Sequence, residues 1–177
     1  MPTSPVIVSD LTDYQSGDPQ TLIYQATALV RSYCGWHVSP SATDTVTVMG
    51  SGRPSILLPS LYVTAVSAVT EDGVTLTGSD FVWDASGIVG RVGVPWTTPD
   101  KAVTVTFTHG YDQAGDFAAV ILAVASRAQA SPDGVVRRQA GLVSETYSQT
   151  GTGTAGGVSL LPHEKDILRA YRIPRTP

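Results

Sequence analysis

The sequence predicts an α+β fold, with helices at the N-terminus and in the C-terminal third set around an inserted antiparallel β meander or small barrel. Three observations carry this reading. Apolar residues recur at helical spacing between Asp18 and Gly35, Thr and Val alternate between turn residues from Thr43 to Thr108, and an apolar run opens at Phe117 once that β texture has ended. Short strands at close spacing with no helix between them pair antiparallel, because a parallel pair needs a long crossover.

A chain of 177 residues suits a single domain with a real core. Residues 1–17 read as an N-terminal arm. Asp18-Pro19 then starts a helix over 18–35, since the carboxylate accepts orphan amide hydrogens and proline is pre-shaped for the first helical position. Leu22, Ala26, Leu29, Val30 and Tyr33 make one apolar stripe, and Gly35 supplies the left-handed stop. The β-region, 43–108, holds about six short strands. They fall near 45–48, 56–58, 63–70, 74–77 with 81–83, 88–92 and 102–107, and Asp72-Gly73 is a two-residue hairpin signal.

Asp116 is expected to cap a helix over 116–131. Residues 117–125 are apolar on every side of it, so the helix is either central to the domain or covered in part by a neighbouring subunit. Residues 141–147 read as a strand, and 142–177 as a flexible loop followed by a C-terminal docking helix. The loop contains the Ser/Thr/Gly tract 148–157, which has no apolar anchor. Pro162 opens the last helix, on which Leu160, Ile167, Leu168 and Tyr171 align at i, i+7, i+8 and i+11. That stripe needs something to pack on, and Arg169, Arg172 and Arg175 place positive charge where a helix C-terminus favours it.

Composition excludes several classes of function. The net charge of -4 is wrong for a general nucleic-acid binder. The charge is also uneven: residues 1–126 hold four basic against eleven acidic side chains, and 127–177 hold seven against four. An acidic body with a basic tail points to different partners for the two. The single cysteine, Cys34, allows no internal disulfide and reads as a small buried apolar residue. The first residues lack a basic start and apolar core, and the longest apolar run is too short to cross a bilayer, so the expectation is a soluble protein made in a cytoplasm, with no membrane partner.

No motif survives as a catalytic or cofactor site. Residues 151–156 match G-x-G-x-x-G but do not open a helix in a βαβ unit. His163-Glu164 begins like H-E-x-x-H, but Ile167 stands where the second histidine belongs. His37, His109 and His163 are far apart, with no metal-ligand spacing, and no nucleophile elbow is present. Two alternatives stay open: a β-domain displaying Trp83 or Trp96 to a carbohydrate, and a small hydrolase built on His109, Asp112 and Asp116.

Four landmarks occur in order: Val30-Arg31-Ser32-Tyr33-Cys34-Gly35-Trp36-His37-Val38-Ser39-Pro40; Leu58-Pro59-Ser60-Leu61-Tyr62-Val63-Thr64; Val105-Thr106-Phe107-Thr108-His109-Gly110-Tyr111; and Glu164-Lys165-Asp166-Ile167-Leu168-Arg169-Ala170-Tyr171-Arg172. Together they resemble the head-to-tail adaptor, or head completion, proteins of tailed phages, especially those infecting actinobacteria. The resemblance implies a non-enzymatic structural virion protein at the head–tail junction. It implies sister subunits in a ring, commonly twelve-fold, beneath the portal protein, a platform for stopper or tail-completion proteins, and genomic DNA passing through the lumen. It implies no metal and no cofactor. An acidic body suits such a conduit, because a basic wall would retain the duplex. The portal or subunit interface is expected at Leu160, Ile167, Leu168, Tyr171, Arg169, Arg172 and Arg175, with Ile121 and Val124. Leu161 departs from the family pattern, which often has Ser or Thr before the last helix.

Overall fold

The computed structural model describes residues 18–98, 102–130, 137–140, 143–146 and 158–174. The expected arm over 1–17, the 148–157 tract with its G-x-G-x-x-G match, and Arg175 lie outside them. In chain order the elements are α1 (Pro19–Cys34), β1 (Ala42–Met49), β2 (Ser55–Leu57), β3 (Val63–Glu71), β4 (Val74–Thr75), β5 (Phe81–Trp83), β6 (Ile88–Arg91), β7 (Ala102–His109), α2 (Gly115–Ala130), β8 (Arg137–Ala140), β9 (Val143–Thr146) and α3 (Pro162–Leu168), which continues as the 3-10 turn Arg169–Tyr171. They form an α+β fold whose described sheets are all antiparallel and do not close into a barrel.

Two compact units divide the chain. One comprises Met1–Tyr33 and Gly115–Ala170, and the other Cys34–Ala114 and Tyr171–Pro177. In the helical unit, α1 begins as its sequence dictates: the Asp18 carboxylate accepts the Thr21 amide hydrogen at 2.7 Å. Leu22, Ala26 and Val30, spaced at i, i+4 and i+8, are buried. Helix α2 starts one residue before the expected cap, at Gly115, so Asp116 lies inside the first turn. There its carboxylate accepts the Phe117 amide hydrogen at 2.9 Å and suits the positive end of the helix dipole. Within the subunit the helix is covered on one side: Phe117, Val120, Val124 and Ala128 are buried, while Ala118, Ala119, Leu122 and Ala123 face outward. Strands β8 and β9 pair as a hairpin, and only the second lies where the sequence placed a strand.

The sheet unit contains a four-stranded sheet in the order β1-β7-β3-β4 and a three-stranded sheet in the order β2-β6-β5. Strand β7 shows the period-two rule plainly: Val103, Val105, Phe107 and His109 are buried, and Thr104, Thr106 and Thr108 point to the other face. Across from them on β1, the hydroxyls of Thr43, Thr45 and Thr47 pair with Thr108, Thr106 and Thr104 at 2.8–3.1 Å. The core joins residues of both sheets, including Ile56, Val69, Val89, Val105, Phe107 and the fully buried Trp96. Asp72-Gly73 makes the β3–β4 turn with φ of 50° and 79°, the paired positive values a type I′ hairpin requires.

Candidate assembly surfaces

The strongest polar feature of the helical unit ties α2 to α3. Arg127 sits in the last turn of α2, and Glu164 on the first turn of α3 is only 2% exposed. The guanidinium donates Nη1 to Oε1 at 2.9 Å and Nη2 to Oε2 at 3.0 Å, and Nη2 also donates to the Ser159 carbonyl at 2.8 Å. Bidentate pairing of this kind fixes orientation as well as distance. Glu164 Oε2 further accepts the Leu161 amide hydrogen at 2.8 Å. Leucine at the N-cap has no acceptor of its own, so this reciprocal half of the capping box holds the helix start. Beside this pair, Leu168 is fully buried, while Ile167 stands 42% exposed.

One end of the sheet unit is a cluster of rings. Tyr62 stacks on Tyr111 with centroids 4.4 Å apart, Tyr171 meets Tyr111 edge-on at 5.7 Å, and Phe107 lies 4.7 Å from His109. Trp36 Nε1 donates to the Tyr171 carbonyl at 2.6 Å, and the Ile173 amide donates to the Cys34 carbonyl at 2.9 Å. The segment after α3 is therefore held beside Gly35 by one side-chain and one backbone hydrogen bond. Buried in this unit, the Cys34 thiol is pushed up to about 11 by desolvation, offset in part by Arg172.

Among the described residues, exposed apolar side chains gather on α2 and on the three-stranded sheet. On α2 the outward strip is Ala118, Ala119, Leu122 and Ala123, with Leu122 56% exposed. Alongside it a shallow recess of about 70 Å³ is lined by Pro19, Leu22, Ile23, Leu122, Ala125 and the neighbouring Ser126 and Gln129. On the three-stranded sheet, Leu57 and Ile88 are register partners, as are Val82 and Gly90, and Leu57, Val82 and Ile88 are all exposed. Val92 and Val94, in the bend after β6, are exposed as well. Contiguous exposed apolar groups on a folded protein mark interaction sites.

The head completion protein family model matches residues 12–126, well over half of the chain. The chain belongs to the head completion protein family. No curated protein matches it in sequence. Among solved structures it is similar to a chain of the neck of a native gene transfer agent particle computed with C12 symmetry, at 14% identity and a TM-score of 0.60, covering 99% of this chain and 95% of that one. It is also similar to a chain from the virion of the native gene transfer agent particle, at 12% identity and a TM-score of 0.59, covering 99% and 96%. A third, from the neck of the empty particle computed with C6 symmetry, has 14% identity and a TM-score of 0.54, covering 90% and 79%. At these identities the likeness establishes a shared fold.

In this head completion protein the residues singled out from sequence fall into three groups. Leu168 and Val124 are fully buried within the subunit and contribute to its own packing. Leu160, Tyr171 and Ile121 are half-buried, whereas Ile167, Arg169 and Arg172 are exposed. Arg169 pairs with Asp166 at 2.7 Å one turn earlier. The alternative sites dissolve for physical reasons. Trp96 is 1% exposed, donates Nε1 to the Val89 carbonyl at 3.1 Å and lies under the Arg91 guanidinium, so Trp83, 40% exposed, has no exposed aromatic partner in it. His109 is buried with Nε2 at 3.0 Å from Asp44, and its Nδ1 has no hydrogen-bond partner among the described residues, so the ring serves neither Asp112 nor Asp116. Glu164 of the abortive zinc-like motif is occupied by Arg127. Among the described residues no group of three His, Cys, Asp or Glu side chains could hold a metal, and no helix is long and apolar enough to cross a membrane.

Proposed function

We propose that this head completion protein is a structural subunit of the virion head–tail junction. Copies of it form a ring beneath the portal protein, connect it to stopper or tail-completion proteins, and extend the conduit through which genomic DNA passes. The observation that carries this reading is the fold shared along 99% of the chain with a protein of a C12 particle neck, in a chain that a head completion family model matches. Sparse surface charge and two exposed apolar surfaces support it, since both suit a subunit that neighbours cover. The acidic excess over residues 1–126 supports passage of DNA without retention, because a wall of like charge gives phosphates no counterion-release gain.

Docking to the portal is assigned to the exposed part of the C-terminal segment, namely Ile167, Arg169 and Arg172 with the half-buried Leu160 and Tyr171. Deleting the whole segment is a poor test, because Glu164, Leu168 and Tyr171 also hold the subunit together. Ile167→Asp is the sharper one: the variant is expected to fold like the parent and to be missing from purified DNA-filled particles. Normal incorporation of Ile167→Asp, and of Arg172→Glu tested beside it, would refute the docking assignment. Absence of the parent protein from particle necks would refute the function itself.

A further inference from the structure

The strip on α2 and the outer face of the β2-β6-β5 sheet differ in shape and agree in chemistry. The strip is a narrow ridge of small side chains carrying one large knob, Leu122, beside a recess. The sheet face is broad, and at Gly90 the cross-strand Val82 leans over the glycine, so that an added Cβ would meet Val82 Cγ2 at 3.1 Å. A helix ridge on an apolar sheet face is one of the standard layered packings.

Charged side chains stand at the margins of both surfaces. Asp116 stands one turn before Ala119, on the strip's side of α2. Arg53 lies two residues before β2, exposed, and makes no ion pair among the described residues. The exposed Asp84 and half-buried Asp80 flank β5 at the far edge of the sheet face, so positive charge stands at its β2 edge, where meeting the α2 strip brings Asp116 toward Arg53. A chain that carries both halves of a complementary pair is its own partner in a head-to-tail contact, the kind that closes into rings.

We propose that the α2 strip of one subunit, centred on Leu122, packs on the outer β2-β6-β5 face of the next subunit, around Leu57, Val82 and Ile88. The contact is heterologous, with Asp116 of one copy facing Arg53 of the other. It rests on the ring reading above and specifies the surfaces that reading leaves open.

Cysteine crosslinking in assembled particles tests it. The native Cys34 is buried and its thiol holds its proton well above neutral pH, so it stays silent to maleimides. Ala119→Cys combined with Val82→Cys places one thiol on each surface, and a short bis-maleimide is expected to yield a ladder of dimers, trimers and larger multimers. Ala123→Cys combined with Leu57→Cys is a second pair at exposed positions, in case the first disturbs folding. Each single variant is expected to stay monomeric under the same treatment. A crosslinked dimer from a single variant would mean that like surfaces meet, and would overturn the proposal. So would the absence of a ladder from both double variants in particles whose necks show this chain as a ring. If imaging of the same particles shows no ring of this chain, it is the ring reading that fails, and the surface assignment falls with it.

Discussion

Removing Arg127 should destabilise the helical unit far more than the loss of an ordinary surface ion pair. Arg127→Ala deletes two guanidinium–carboxylate bonds and the bond to Ser159, and leaves Glu164, 2% exposed, with only the Leu161 amide as a donor. Stranding a buried charge in this way costs about 3–5 kcal/mol, against about 0–1 kcal/mol for an exposed pair. At about 2–4 °C per kcal/mol for a chain of this size, the midpoint of thermal unfolding should fall by roughly 6–20 °C. The double variant Arg127→Met, Glu164→Leu removes the charge together with its partner and should recover most of this loss, leaving a deficit of about 1 kcal/mol from the missing cap at Leu161. Urea unfolding measures the global effect. Amide exchange over residues 162–168 shows whether α3 detaches locally, which would limit the global figure. The reasoning is refuted if Arg127→Ala costs less than about 1 kcal/mol with exchange at α3 unchanged, or if the double variant is as unstable as the single one.

Further outcomes follow from the sheet unit. Gly73→Ala forces a side chain into a residue with φ of 79° and should cost about 1–2 kcal/mol, measured by urea unfolding. Asp80 is held below its ordinary value of 3.8, first by the Thr77 hydroxyl and then by the Thr77 amide, with a smaller effect from Arg91. Its contribution to stability is therefore complete above that ordinary value and lost as pH falls through the lowered one, so Asp80→Ala should lower stability in the neutral region and flatten the acid limb of a stability–pH curve, the two curves converging in acid. Trp36→Phe removes the donor to the Tyr171 carbonyl and should cost about 1–3 kcal/mol while speeding amide exchange at Ile173. Cys34 should resist maleimide in the folded protein at pH 7 and react fully in urea; fast labelling of the native protein would contradict its burial.

Local signals were legible in the sequence where the cause is local. Asp18-Pro19, Gly35 and Asp72-Gly73 announce a cap, a stop and a hairpin, and each is found in that role. The alternation along β7 matches the burial found there, with Val103, Val105 and Phe107 in the core and the threonines on the other face. Pairing was not legible. Strand β7 lies between β1 and β3, matching Ala42 with His109 across sixty-odd residues, and no neighbouring turn encodes that choice. Nor could the spacing reveal that Glu164 is occupied by Arg127 from a different helix, which makes a motif that looked like half of a zinc site into a structural clamp. The apolar sheet face escaped attention because Leu57, Ile88 and Val92 read as ordinary strand residues. Exposure separates them from the core, and exposure depends on which face the other sheet covers. The C-terminal stripe divides in the structure: Leu160 precedes the helix, Tyr171 lies in the 3-10 turn after it, Leu168 is spent inside the subunit, and Ile167 next to it stays exposed.

Density for the neck of purified, DNA-filled particles, with this protein carrying a bulky label, tests the central claim most directly. The account predicts copies of this chain in one closed ring between portal and tail, with DNA along its axis. A particle that lacks the chain, or that holds it as isolated copies away from the neck, would contradict it.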